Sequence, residues 1–150
     1  MGVVLACGAA AAAAQTGGYR NDFTKVYRTY QTLLAHKEAC DESVPDRKAA
    51  IEQGYASWRL RNDRTVAELQ DRLAAMIRAA SQDEREYVRN FGKYEGVLLQ
   101  QRREAKEALL NQPRDELKAL CDALPALLAG RDADLETLYG EELKNLRRRR

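Results

Sequence analysis

The chain has 150 residues, enough for one domain and one core. With 45% apolar, 32% charged and 7% aromatic residues, nine Gly and three Pro, it fits no membrane bundle, disordered segment or turn-rich all-β chain. The net charge of +2 is too near neutral to imply a partner, but it is unevenly spread.

Residues 1–21 carry one charge, Arg20. Residues 22–146 carry 20 basic and 23 acidic groups, and Arg147, Arg148, Arg149 and Arg150 close the chain. The total is therefore an acidic body with a basic tail. Arg outnumbers Lys by 18 to 7, and Ala outnumbers Ile by 24 to 2. That bias is typical of a GC-rich, bacterial genome.

Val3 to Ala14 is apolar without a break. Twelve residues are too few to span about 30 Å of hydrocarbon as a helix. They match the apolar region of a secretory signal, with Ala12-Ala13-Ala14 as an Ala-x-Ala cleavage site before Gln15. Met1-Gly2 lacks the usual Lys or Arg ahead of it, so a disordered Ala-rich leader is the alternative. Val4-Leu5-Ala6-Cys7 allows a lipoprotein reading through Cys7, although Leu5 fits it poorly. Cleavage after Ala14 would remove Cys7, leaving Cys40 and Cys121. Residues 15–21 read as a flexible linker.

From Asp22, a helix N-cap candidate, the residues Phe23, Val26, Tyr27, Tyr30, Leu33 and Leu34 form one apolar stripe. Cys40 lies a quarter-turn off it, and the helix should end near Asp41. Pro45 opens a second helix, where its missing N–H is harmless. The stripe there is Ile51, Tyr55, Trp58, Asn62, Val66, Leu69, Leu73, Met76 and Ala80, with a polar Asn at its centre.

Ser81 either marks a bend or caps a third helix, with Glu84 completing a capping-box pattern; the stripe of that helix is Tyr87, Phe91, Tyr94, Leu98, Ala105 and Leu109. Gly92 and Gly96 fall on its other face, which predicts mobility or a close backbone approach. Pro113 starts a fourth helix with Leu117, Leu120, Cys121, Leu124 and Leu128 inward. Pro125 should kink or split it, and Gly130 should end it in the left-handed region. Asp132 or Asp134 then caps a last helix with Leu135, Leu138, Tyr139, Leu143 and Leu146 inward. The expectation is an all-α antiparallel bundle of four or five helices over residues 22–146, with a basic tail at 147–150.

In an oxidising compartment Cys40 and Cys121 pair most simply, because both lie on or beside an inward face. A loop of about 80 residues closed in this way gains at most roughly 4–5 kcal/mol in the chain-entropy model. Two buried free thiols are the alternative.

Chemical motifs are absent from the sequence. There is one histidine, His36, and no Cys-x-x-Cys, zinc spacing, Walker loop, dinucleotide fingerprint or nucleophile elbow. A haem held by His36 and Met76 is conceivable in a bundle. Both have simpler readings, Met76 as core filler and His36 as an exposed polar position. No catalytic residue, cofactor or metal ligand is assigned.

The most distinctive segment is Tyr55 to Arg64. Leu60 points away from the apolar stripe among arginines, which makes Arg59, Leu60 and Arg61 a candidate contact for a protein partner. Cys40 closing a first helix, Pro45 opening a second, and Trp58-Arg59-Leu60-Arg61-Asn62 together resemble small exported helical proteins of Gram-negative bacteria. The resemblance covers about residues 22–80 and implies fold and periplasmic or secreted compartment alone. Periplasmic stress-response chaperones share the class, but their Leu-Thr-x-x-Gln signature is missing.

Arg147, Arg148, Arg149 and Arg150 extend a helix end that favours positive charge. They form a candidate site for weak contact with anionic lipid or a polyanion. No aromatic residue is interleaved with them, so sequence-specific nucleic-acid binding is not expected. The leading expectation is a non-enzymatic binding or structural module of the cell envelope. An anionic-surface binder acting through the tail comes second, and an enzyme of unrecognised type third.

Overall fold

A computed structural model describes residues 8–149, with side chains from Gly18 to Arg149. Cys7, with its lipidation reading, and the front of the apolar leader lie outside the described residues, as does Arg150, while Ala12-Ala13-Ala14 falls within helix α1. The expected all-α bundle is found. Helices α1 (Gly8–Ser43), α2 (Lys48–Ala79), α3 (Glu84–Leu110), α4 (Arg114–Ala129) and α5 (Leu135–Arg148) follow in order, with one 3-10 turn at Pro45–Arg47. No strand occurs among the described residues.

Helix α1 starts upstream of the expected N-cap. Asp22 is an interior position, and residues 15–21 are helical rather than a linker. Six consecutive Ala favour helix strongly enough to carry it across Gly17 and Gly18, each costing about 1 kcal/mol. Tyr19 already packs against the core, so the bundle begins before residue 22. Helix α1 contacts all four other helices, while α2 packs most extensively on α4.

The α2 stripe buries Ile51, Trp58, Asn62, Val66, Leu69 and Leu73 as expected, but Ile77 replaces Ala80 at its end. The helix stops at Ala79, and the Ser81 hydroxyl donates to the Ile77 carbonyl at 2.7 Å. Ser81 is therefore spent on closing α2. Asp83 caps α3 instead: its carboxylate accepts from the Glu86 N–H at 2.8 Å, and Glu86 accepts from the Gln82 N–H at 2.7 Å. The capping box lies two residues later than expected, and a carboxylate suits the positive helix end better than a hydroxyl.

Of the α3 stripe only Leu109 is fully buried; Tyr87, Phe91, Tyr94 and Leu98 are half-buried. Gly92 and Gly96 face open space, so of the two alternatives expected there the close backbone approach does not occur. It occurs at Gly54 instead, where an added Cβ would come within 2.9 Å of the Pro125 carbonyl oxygen. Pro125 does not split α4, which runs on to Ala129. Gly130 ends it in extended rather than left-handed backbone (φ −77°, ψ 175°).

Asp134 takes the N-cap position of α5. Tyr139 breaks the helical path (φ −134°, ψ 34°) just before Gly140, and Leu138, expected inward, is 49% exposed. Leu135, Leu143 and Leu146 are buried. Across the core, Phe23, Tyr27, Tyr30, Trp58 and Tyr55 form a ladder of rings with neighbouring centroids 5.3–6.1 Å apart. Full burial of one such large side chain contributes about 1.5–3 kcal/mol.

Candidate functional site

The two helix-borne cysteines meet. Cys40 near the end of α1 and Cys121 in the middle of α4 are fully buried, with Sγ atoms 2.04 Å and Cα atoms 5.4 Å apart. The pair staples two helices 81 residues apart in sequence.

The segment Trp58 to Asn62 turns inward to hold the α4–α5 connection. The Trp58 indole donates to the Ala133 carbonyl at 2.8 Å. Asn62 donates to the Trp58 carbonyl at 2.9 Å and to the Asp134 carboxylate at 3.0 Å, and accepts from the Leu135 N–H at 2.8 Å. Arg61 donates through Nε to Asp134 at 3.1 Å and through Nη2 to the carbonyls of Leu128 at 2.7 Å and Gly130 at 2.6 Å. Those bonds explain the extended backbone at Gly130 and the absence of a side-chain cap from Asp134, whose carboxylate is already engaged.

Arg61 is thus committed to the fold through these bonds while remaining exposed at the surface. Arg59 pairs with Asp63 at 3.1 Å, and one of its guanidinium nitrogens is buried without a hydrogen-bond partner. Leu60 alone projects, at 83% exposure. Sequence reasoning missed Asp134 as their common acceptor, because 72 residues separate it from Asn62.

The tail is likewise partly engaged. Arg147 donates to Glu68 at 2.9 Å and to Glu136 at 2.6 Å and 3.2 Å. Those hydrogen bonds raise the Arg147 pKa and hold Glu136 below the usual carboxylate range, with the Thr65 hydroxyl assisting at 3.0 Å. Helix α5 continues to Arg148. Arg149 also interacts with its surroundings.

A groove of about 760 Å³ lies between α1, α4 and α5. One wall is the α1 face carrying Asn21, Lys25, Arg28, Thr32 and His36; Leu124, Leu127, Leu138 and Tyr139 form much of the other. Its geometry follows from the break at Tyr139, which turns Leu138 outward while the Tyr139 and Thr29 hydroxyls stay hydrogen-bonded at 2.6 Å. Lys25 pairs with Glu142 and lies 5.6 Å over the Tyr139 ring. His36 is half-buried here rather than exposed, and burial lowers its pKa.

Met76 lines a different groove, with Phe23, Ile77 and Tyr94, so the structure does not bring His36 and Met76 to one cavity. Among the described residues no group of three His, Cys, Asp or Glu is placed to hold a metal ion. No described helix is long and apolar enough to cross a membrane.

The chain matches no protein-family model, no curated protein and no solved structure.

Proposed function

We propose that the chain is a non-enzymatic helical binding module of the bacterial cell envelope, exported and stapled by Cys40 and Cys121. The observation that carries this reading is the cysteine pair itself, fully buried and at bonding distance between α1 and α4. Such bonds persist in oxidising compartments and are rare in the reducing cytosol. The apolar Val3–Ala14 stretch, ending in Ala-x-Ala, supports the same compartment. The binding role rests on the α1–α4–α5 groove, whose volume falls within the range of about 300–1,000 Å³ usual for small-ligand sites.

The direct test is the mature N-terminus of the protein from its native host, read by N-terminal sequencing of the extracytoplasmic fraction. A chain beginning at Gln15 supports export. A chain beginning at Met1 or Gly2 and found with cytosolic markers overturns it.

A further inference from the structure

The groove between α1, α4 and α5 carries a ligand class. This deepens the binding-module reading and rests on it only in taking the chain to hold a ligand. Asn21 to His36 is about 22 Å of helix at 1.5 Å per residue, so the groove is long rather than round. Its far wall offers aliphatic surface that the fold leaves open: Leu127 and Leu138 are each 49% exposed.

The cations along α1 differ in their commitments. Lys25 is paired with Glu142. Arg28 makes no hydrogen bond or ion pair with any described residue. Arg28 shares the groove lining with the half-exposed Leu127 and Leu138 and is not paired across it. Asp132 is the acidic side chain on the lining, contributed by the α4–α5 connection.

We propose that this groove binds a single-chain amphipathic carboxylate, with the carboxylate on Arg28 and the alkyl chain along Leu127 and Leu138. A guanidinium takes a carboxylate through two parallel N–H···O bonds, which fixes the head group. Burying the chain removes apolar surface from water on both sides. Length favours an extended chain over a compact ring, and the unpaired Arg28 favours an anion over a cation of the same chain length.

Calorimetric titration of the oxidised full chain with dodecanoate tests this, with dodecyltrimethylammonium as the opposite-charge probe. The expected result is one dodecanoate site, with the cation binding at least tenfold more weakly. Arg28→Glu should weaken dodecanoate at least tenfold and abolish that preference. Leu127→Asp should remove binding. Val97→Asp, in the neighbouring groove between α1 and α3 that Arg28 also borders, should change nothing.

All three positions are exposed, and circular dichroism with a melting curve checks each fold; Leu127→Ser replaces Leu127→Asp if the latter unfolds. No dodecanoate binding overturns the proposal. So do equal affinity for both head charges, an unaltered Arg28→Glu variant, or loss through Val97→Asp instead of Leu127. These outcomes do not depend on compartment. A reduced cytosolic chain would refute export and leave the groove standing, and a failed titration would do the reverse.

Discussion

Asn62 satisfies the first backbone donor of α5 from a helix 73 residues away: its Oδ1 accepts from the Leu135 N–H at 2.8 Å. The N-terminal amides of a helix lack partners within it, and Asp134, at the cap position, has its carboxylate bound to Arg61 and Asn62. A buried Asn in an apolar stripe, at 1% exposure, is thereby explained as a remote cap.

Asn62→Leu removes that acceptor, leaves the Leu135 N–H without a partner and takes one donor from the Asp134 carboxylate. A buried group left unsatisfied costs about 1–3 kcal/mol. Urea unfolding should show a loss of at least about 2 kcal/mol. Asn62→Asp should do no better, since it sets a second carboxylate against Asp134. A loss under about 0.5 kcal/mol in Asn62→Leu would show that the network contributes little.

The same substitution should have opposite signs at two kinds of glycine. Gly54→Ala pushes a methyl against the Pro125 backbone, and overpacking of about 1–3 kcal/mol outweighs the gain of up to about 1 kcal/mol in helix propensity. Gly92→Ala and Gly96→Ala meet open space, so each should stabilise by up to about 1 kcal/mol. Melting temperatures of the three variants check the signs.

Acid should loosen the cluster in which Glu136 pairs with Arg147 along α5 and accepts from Thr65 of α2. Glu136 is held below its ordinary value of 4.5 by Arg147 first and by Thr65. A depressed carboxylate contributes stability that is present above the unfolded value and is lost as pH falls through the folded one. Stability should therefore drop below about pH 4.5. Arg147→Ala should flatten that drop, read as urea midpoints across the acid range. An unchanged slope in Arg147→Ala would contradict the assignment.

Much of the bundle was legible because stripes at helical spacing and helix-end Pro residues act locally. Phe23, Trp58, Leu69 and Leu128 are buried where the spacing places them. The misreadings arose where one residue had two possible partners. Ser81 and Asp83 each precede a Glu by three, and tertiary structure spends Ser81 on α2. Arg61 is at the surface, as its charge suggests, but its partner Asp134 is 73 residues away. Leu138 follows the inward period until the backbone breaks at Tyr139. The groove had no local signal at all, since its walls come from three helices.

Breaking the staple should be the costliest single change. In the chain-entropy model a loop closed over a separation of 81 residues gains at most about 4–5 kcal/mol, a large share of a domain's ~5–15 kcal/mol. Cys40→Ala with Cys121→Ala should lower the urea midpoint strongly, and reductant should have little further effect on that variant.

The central claim is most directly tested by intact-mass measurement of protein taken from its native host, alkylated without reductant. The account predicts a mass two hydrogens below the thiol form and no label on Cys40 or Cys121 in peptide mapping. Label on both cysteines, with the full thiol mass, would contradict it.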